Sequence, residues 1–291
     1  MVVRTRRVWP GTSMLVVAGL LLVNNYPFAR PHYDFYQEGY GLRPYQDLID
    51  YVRERGGLTF WSMPEAKDFN RFDYGRLGVV TVKTDPYSEV LRMTSGYTGF
   101  GSVYGDTITV TDPGGLWDAV LHEYMEGRRA HPPWGLSEVA YHAAGSAGTY
   151  LYSFATVLWV RERTPAALLD ALAKGRMYAL RREKEYGLVL NDFSLTSSAS
   201  GAKVISGETL QAAASGDIRI HLAVTATDGQ SRTLPVQVIR SGRVMVSQTE
   251  KTPFDVEFRD AAPAAGKTAY YRLLIGSRGS RIVTNPIFVR G

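Results

Sequence analysis

The spacing of apolar residues changes character partway along this chain. Through residue 179 they recur at helical intervals or in short unbroken runs, and from about Asn191 onward they alternate with polar residues at a period of two. In the first part, Tyr45, Leu48, Ile49 and Val52 share one helical face, Pro44 suits the first helical position and Gly56 supplies the stop. Thr164 as N-cap, then Pro165, Leu168, Leu169 and Leu172, closed by Gly175, delimit a second helix. A third opens at Asp112-Pro113, runs through Leu116, Val120, Leu121 and Tyr124 and closes at Gly127, and residues 88–93 read as a short one. Strands are expected at 58–62, 77–82, 134–139 and 154–160. Strands alternating with helices imply a layer of parallel strands. Residues 95–106 read as a glycine- and aromatic-rich loop, since Gly99-Phe100-Gly101 lacks the glycine spacing of a phosphate-binding turn.

In the second part, Ile218, Ile220, Leu222 and Val224 alternate with Arg219, His221, Ala223 and Thr225, as a half-buried strand requires. Segments 234–239, 244–246, 254–258, 269–275 and 282–289 repeat the pattern between turn residues. The expected organisation is an α/β domain over residues 1–188 and an all-β, immunoglobulin-like sandwich over 189–291. The charged run Arg181-Arg182-Glu183-Lys184-Glu185 marks the approach to that boundary.

Length and charge narrow the function only a little. A chain of 291 residues suggests two domains, and 33 Lys+Arg against 28 Asp+Glu tolerate an anionic ligand without arguing for nucleic acid. The absence of cysteine excludes disulfides, zinc-thiolate sites and thiol nucleophiles. The apolar run from Met14 to Val23, preceded by Arg4, Arg6 and Arg7, reads as a buried strand in preference to a signal peptide. It is short for a bilayer span, and Pro27 spoils the cleavage site at Pro27-Phe28-Ala29. No stable membrane insertion is expected on this reading. The compartment is then cytoplasmic, or the protein is exported if residues 1–29 act as a signal peptide.

Candidate chemistry rests on few residues. Of five histidines, His221 sits within a sandwich strand and reads as structural, and His131 falls in a proline-rich loop. His122-Glu123-Tyr124-Met125-Glu126 begins like a zinc-binding HExxH helix but has Glu126 where the second histidine belongs. His32 and His142 both follow strand-like runs, as Met63 does, and strand ends meeting on one face are where an α/β barrel builds a site.

Leu58-Thr59-Phe60-Trp61-Ser62-Met63-Pro64-Glu65-Ala66, the helix end Leu172-Ala173-Lys174-Gly175-Arg176-Met177-Tyr178-Ala179, and Tyr270-Tyr271-Arg272-Leu273 with Asn285-Pro286-Ile287-Phe288-Val289 together resemble the PHP (polymerase and histidinol phosphatase) family. More narrowly, they look like its bacterial members that carry a C-terminal β-sandwich. The resemblance implies a partial, distorted β/α barrel lacking its first strands, and phosphate-ester hydrolysis by a cluster of divalent metal ions. Carried over residue by residue, a family glutamate falls on Leu21 and a histidine on His32. The histidine of a His-Pro pair falls on Met63, and the closing Asp-x-His on Ala140-Tyr141-His142. His32 and His142 are thus the implied surviving metal ligands, for Zn, Mn or Fe if the site survives; no catalytic residue is assigned.

These losses imply a metal-depleted, inactive relative that acts as a binding or scaffolding protein toward a phosphorylated small molecule or a protein partner. The rival is a phosphoesterase with a reduced metal site that recruits Glu65 or Asp34. Arg128, Arg129 and Arg176 are candidates to meet a phosphate.

Overall fold

The computed structural model describes residues 9–24, 32–33, 39–145, 150–213, 216–277 and 279–291. By contact the chain divides into two units, Met1–Leu48 and Ile49–Gly291. The first unit contains helix α1 (Trp9–Val23) and the start of helix α2 (Arg43–Glu54), with the Tyr33 hydroxyl hydrogen-bonded to the Asp47 carboxylate. The expected strand over 14–23 is therefore a helix, and its described side chains are exposed. Periodicity cannot separate strand from helix in an unbroken apolar run, and no strand among the described residues offers this segment a ladder.

The second unit begins with β1 (Phe60–Trp61), an exposed hairpin of β2 (Asp68–Asp73) and β3 (Val79–Thr84), and the short helix α3 (Val90–Met93). Strand β4 (Gly99–Val103), helix α4 (Leu116–Met125), β5 (Trp134–Ser137), β6 (Phe154–Leu158), helix α5 (Pro165–Lys174) and β7 (Met177–Arg181) follow. The segment expected as a glycine loop is thus the fully buried centre of a parallel sheet, ordered β1-β4-β5. Glycine is what permits it: a Cβ on Gly99 would overlap the Trp134 carbonyl oxygen, and one on Gly101 would overlap the Glu138 carboxylate. Helix α5 forms as its signals dictate, with the Thr164 hydroxyl accepting from the Ala167 N–H at 3.3 Å and Gly175 left-handed at φ 70°.

The remaining strands are β8 (Leu188–Ser197), β9 (Lys203–Ile205), β10 (Thr209–Gln211), β11 (Asp217–Ala226), β12 (Thr233–Arg240), β13 (Arg243–Lys251), β14 (Phe254–Ala261), β15 (Thr268–Gly276), β16 (Arg281–Thr284) and β17 (Ile287–Arg290). They form a four-stranded sheet, β14-β11-β8-β9, and an eight-stranded sheet along β10-β17-β15-β16-β7-β6 with β12 and β13 joined through β15. Both sheets contribute to one core, in which Phe193, Leu195, Ile220 and Leu222 meet Val236, Tyr271, Leu273 and Ile282. The boundary expected at 188/189 falls after the first residue of β8, and Tyr178 and Leu180 of β7 enter that core with Leu188 and Leu190 of β8.

The expected α/β barrel followed by a sandwich is not the fold. The described residues are mostly β, arranged in several sheets of which none closes. The physical reason lies at β5, whose far edge carries no ladder to β6 or β7. Side chains bridge the gap instead. Asn285 accepts from the Gly135 N–H (2.7 Å) and donates to the carbonyls of Gly135 (3.0 Å) and Met177 (3.1 Å). Ser137 Oγ accepts from the Leu180 N–H at 2.8 Å, and the Ser137 N–H donates to Thr156 Oγ1 at 3.0 Å. These bonds satisfy the edge of β5 without extending the sheet. Beyond them β6 and β7 pair antiparallel, and β7 pairs antiparallel with β16, so the parallel layer ends at β5.

Candidate functional site

The C-terminal ends of the parallel strands β1, β4 and β5 are where an open α/β sheet places its crevice. Here that end is laced together by carboxylates. Met63, just past β1, sits at φ 41°, in the left-handed region that non-glycine residues rarely occupy. Its N–H donates to Glu138 Oε2 at 2.7 Å, and the Ser62 hydroxyl reaches the same oxygen at 3.3 Å. Burial raises the Glu138 carboxyl above the ordinary glutamate value, although the bonds from Met63 and Ser62 oppose the shift. Next along the chain, Glu65 accepts from the N–H groups of Thr109 (2.7 Å) and Val110 (3.0 Å) and from the Thr109 hydroxyl, while its own N–H donates to the Tyr104 hydroxyl at 2.9 Å. Glu65 therefore pins the loop after β4 to the loop after β1. Its oxygens are occupied by the fold.

The loop 109–115 is fixed from its other side by a buried ion pair. Arg272, on β15, is 0% exposed and Asp118, on α4, is 2% exposed. Arg272 Nε donates to Asp118 Oδ1 (2.9 Å), Nη2 to Oδ2 (2.6 Å) and Nη1 to the Thr111 carbonyl (2.9 Å). The Tyr270 hydroxyl and the Gly114 N–H add bonds to the same carboxylate at 2.6 and 2.8 Å. Burial and the adjacent carboxylate raise the Tyr270 phenol far above its ordinary value, which keeps it a donor.

Between this loop and the eight-stranded sheet lies a cleft of about 420 Å³, walled by Tyr104, Asp106, Thr109 and Asp112 on one side and by Arg181 and Arg281 on the other. A second hollow of about 230 Å³ shares Gly105 and Arg181 with the first and is lined also by Tyr150, Arg182, Glu183 and Lys184. Arg181 and Arg281 are directly opposed across the antiparallel pair β7–β16, which puts both side chains on one face. Arg281 has Asp112 at 3.8 Å. Arg181 lies over the Phe154 ring at 5.5 Å and makes no ion pair or side-chain hydrogen bond with the described residues. Burial holds Arg281 below the ordinary arginine value; Asp112 works against this and Arg272 adds to it.

The residues singled out by sequence fall in different elements. His32 lies in the first unit, 81% exposed, with Nε2 3.7 Å from Asp47. His142 lies in the second unit, exposed, in the loop after β5. Asp34 falls outside the described residues. Leu21 sits within α1, and Ala140 is exposed. His122 turns its Nδ1–H to the Asp118 carbonyl at 2.6 Å, and Glu126 pairs with Arg128. Arg129 is paired with Glu123 and Arg176 with Asp170. No group of three or more His, Asp or Glu able to hold a metal occurs among the described residues. Met63 and Ala140 themselves offer no carboxylate oxygen or imidazole nitrogen to a divalent cation.

Sequence reading assigns no site role to Glu138, Asp118, Arg272, Arg181 or Arg281, and meets Arg181 and Arg272 only in a charged run and in a resembling segment. The period-two pattern that places Ile282 in the core gives Arg281 its face, but nothing local pairs it with Arg181 a hundred residues away. No protein-family model matches this sequence, and comparison with curated proteins finds no relative.

Proposed function

We propose that this protein binds a small phosphorylated molecule in the cleft between Arg181 and Arg281, without hydrolysing it. The observation that carries the reading is the pair of arginines held in cross-strand register on one face, the first of them lacking a carboxylate partner among the described residues. Like charges directly opposite one another destabilise a sheet, and a bound dianion between them reverses the sign of that interaction. Guanidinium groups suit phosphate because their N–H donors match its oxygens in pairs. The resemblance of Leu58–Ala66 and the other matched segments to PHP phosphoesterases favours phosphate over carboxylate as the anion. The engagement of Glu65 and Glu138 by backbone N–H groups at the strand ends supports binding over turnover.

Titration of the full chain with a simple phosphate monoester, followed by calorimetry, tests this. Saturable binding that weakens at least tenfold (about 1.4 kcal/mol) in Arg181→Ala, with an unchanged melting temperature, is expected. Absence of saturable binding, or binding indifferent to Arg181→Ala, removes the proposal. Release of phosphate that is abolished by chelator and by His142→Ala would replace binding with metal-dependent hydrolysis.

A further inference from the structure

Helix α1 is unlike every other helix here. Its 15 residues contain no charged side chain, and Met14, Leu15 and Leu20 are 76, 75 and 66% exposed. Val16, Val17, Leu22 and Val23 are exposed as well, so the apolar surface runs round the whole cylinder rather than along one stripe. Such a surface in water is strongly unfavourable, and a helix that is apolar on all sides is at home in a protein interior or in lipid. A groove on a partner protein accepts a helix with one apolar face and leaves the other in water. Half of α1 would remain exposed in that arrangement. Only a medium that surrounds the helix covers it.

The flanking sequence selects lipid. Arg4, Arg6 and Arg7 precede the helix, the chain is uncharged from Val8 to Ala29, and Trp9, Tyr26 and Phe28 fall near the two ends of that stretch. Basic residues meet anionic headgroups, and tryptophan and tyrosine favour the membrane interface. Fifteen helical residues extend roughly 22 Å, against a hydrocarbon thickness of about 30 Å. No helix among the described residues is long and apolar enough to cross a membrane by itself. A short apolar helix is accommodated by local thinning of the bilayer and by flanking residues that reach its surface. An interfacial helix, by contrast, needs a polar face that α1 lacks.

We infer that α1 inserts into the hydrocarbon of a lipid bilayer and anchors the chain there, with Arg4, Arg6 and Arg7 at an anionic headgroup layer. The inference stands apart from the phosphate-binding reading, since it uses none of the same residues.

The test is flotation of the full chain with vesicles of three parts phosphatidylcholine to one part phosphatidylglycerol. The protein should float with the vesicles, resist extraction by concentrated salt, and lose at least a hundredfold in partitioning when Val16→Asp and Leu20→Asp are combined, since each charge is strongly disfavoured at the centre of an inserted helix. Arg4→Gln, Arg6→Gln and Arg7→Gln together should weaken binding to these vesicles and leave binding to pure phosphatidylcholine unchanged. Circular dichroism of the Asp variant should match the parent in its β signal, separating loss of insertion from misfolding. Protein left in the dense fraction overturns the inference, as does flotation that salt reverses and the Asp substitutions leave intact. A water-soluble oligomer dissolved by those substitutions assigns the helix to copies of this chain. Intact mass of the cellular protein lacking residues through Val23 identifies a cleaved signal peptide and likewise overturns the anchor.

Discussion

Replacing Asp118 by asparagine isolates what holds the cleft loop in place. The substitution keeps the shape of the side chain and removes its charge, leaving Arg272 with no carboxylate at a position of 0% exposure. The asparagine Nδ2 must also face a donor, because Arg272 Nε and the Tyr270 hydroxyl approach one carboxylate oxygen and Arg272 Nη2 and the Gly114 N–H approach the other. The Thr111 and Asp112 carbonyls remain as neutral acceptors at 2.9 and 3.3 Å. Breaking one partner of a buried pair costs about 3–5 kcal/mol. For a unit of this size that is a fall in melting temperature of about 6–20 °C. Urea unfolding should show the midpoint moving with the slope unchanged, which assigns the loss to the native state. The double variant Asp118→Leu with Arg272→Met should be more stable than Asp118→Asn, since removing both charges abolishes the unpaired guanidinium. Because loop 109–112 walls the arginine cleft, Asp118→Asn should weaken phosphate-monoester binding as well. A loss below about 1 kcal/mol, or a double variant less stable than Asp118→Asn, would refute the reasoning.

Two further outcomes follow from the geometry. Gly101→Ala should destabilise by about 1–3 kcal/mol, because its Cβ displaces the Glu138 carboxylate and comes within 3.0 Å of Met63 N, breaking the bond that holds the left-handed turn; a melting temperature equal to the parent's would show that Glu138 is not locked. On the outer face of β11, His221 reaches Asp255 at 2.7 Å and Asp192 at 3.1 Å, and Asp192 also pairs with Lys203. Burial lowers the His221 pKa, but the hydrogen bonds to Asp255 and Asp192 outweigh it and leave the value raised above 6.5. A raised folded-state pKa means stabilisation that is full below the unfolded value near 6.5 and is lost as pH rises through the folded one. Histidine-resolved NMR titration should place His221 above 6.5, with a stability loss of about 0.2–1 kcal/mol on the alkaline side that His221→Gln abolishes.

Local signals were legible wherever a residue's own chemistry decides the outcome. Gly56 and Gly175 end α2 and α5 because glycine alone enters the left-handed cap without a steric cost, and Thr164 caps because its hydroxyl reaches the N–H three residues on. Alternation marked β11, β12 and β14, since a strand with one buried face has no other way to arrange its side chains, whereas β15 is buried on both faces. The same reasoning missed β4, because Gly99 and Gly101 look like loop residues until Trp134 and Glu138 are seen to occupy the space a side chain would take. It misread α1, where an unbroken apolar run carries no period at all.

What the sequence by itself determined is the set of short-range structures whose causes lie within a few residues: the caps, the turns and the half-buried strands. Only the tertiary structure decided that the parallel layer stops at β5, that Asp118 meets Arg272, and that Arg181 stands beside Arg281. Each of those depends on two segments more than 40 residues apart coming within hydrogen-bonding or cross-strand distance. A charged or polar side chain states what partner it needs, and not where in the chain that partner lies.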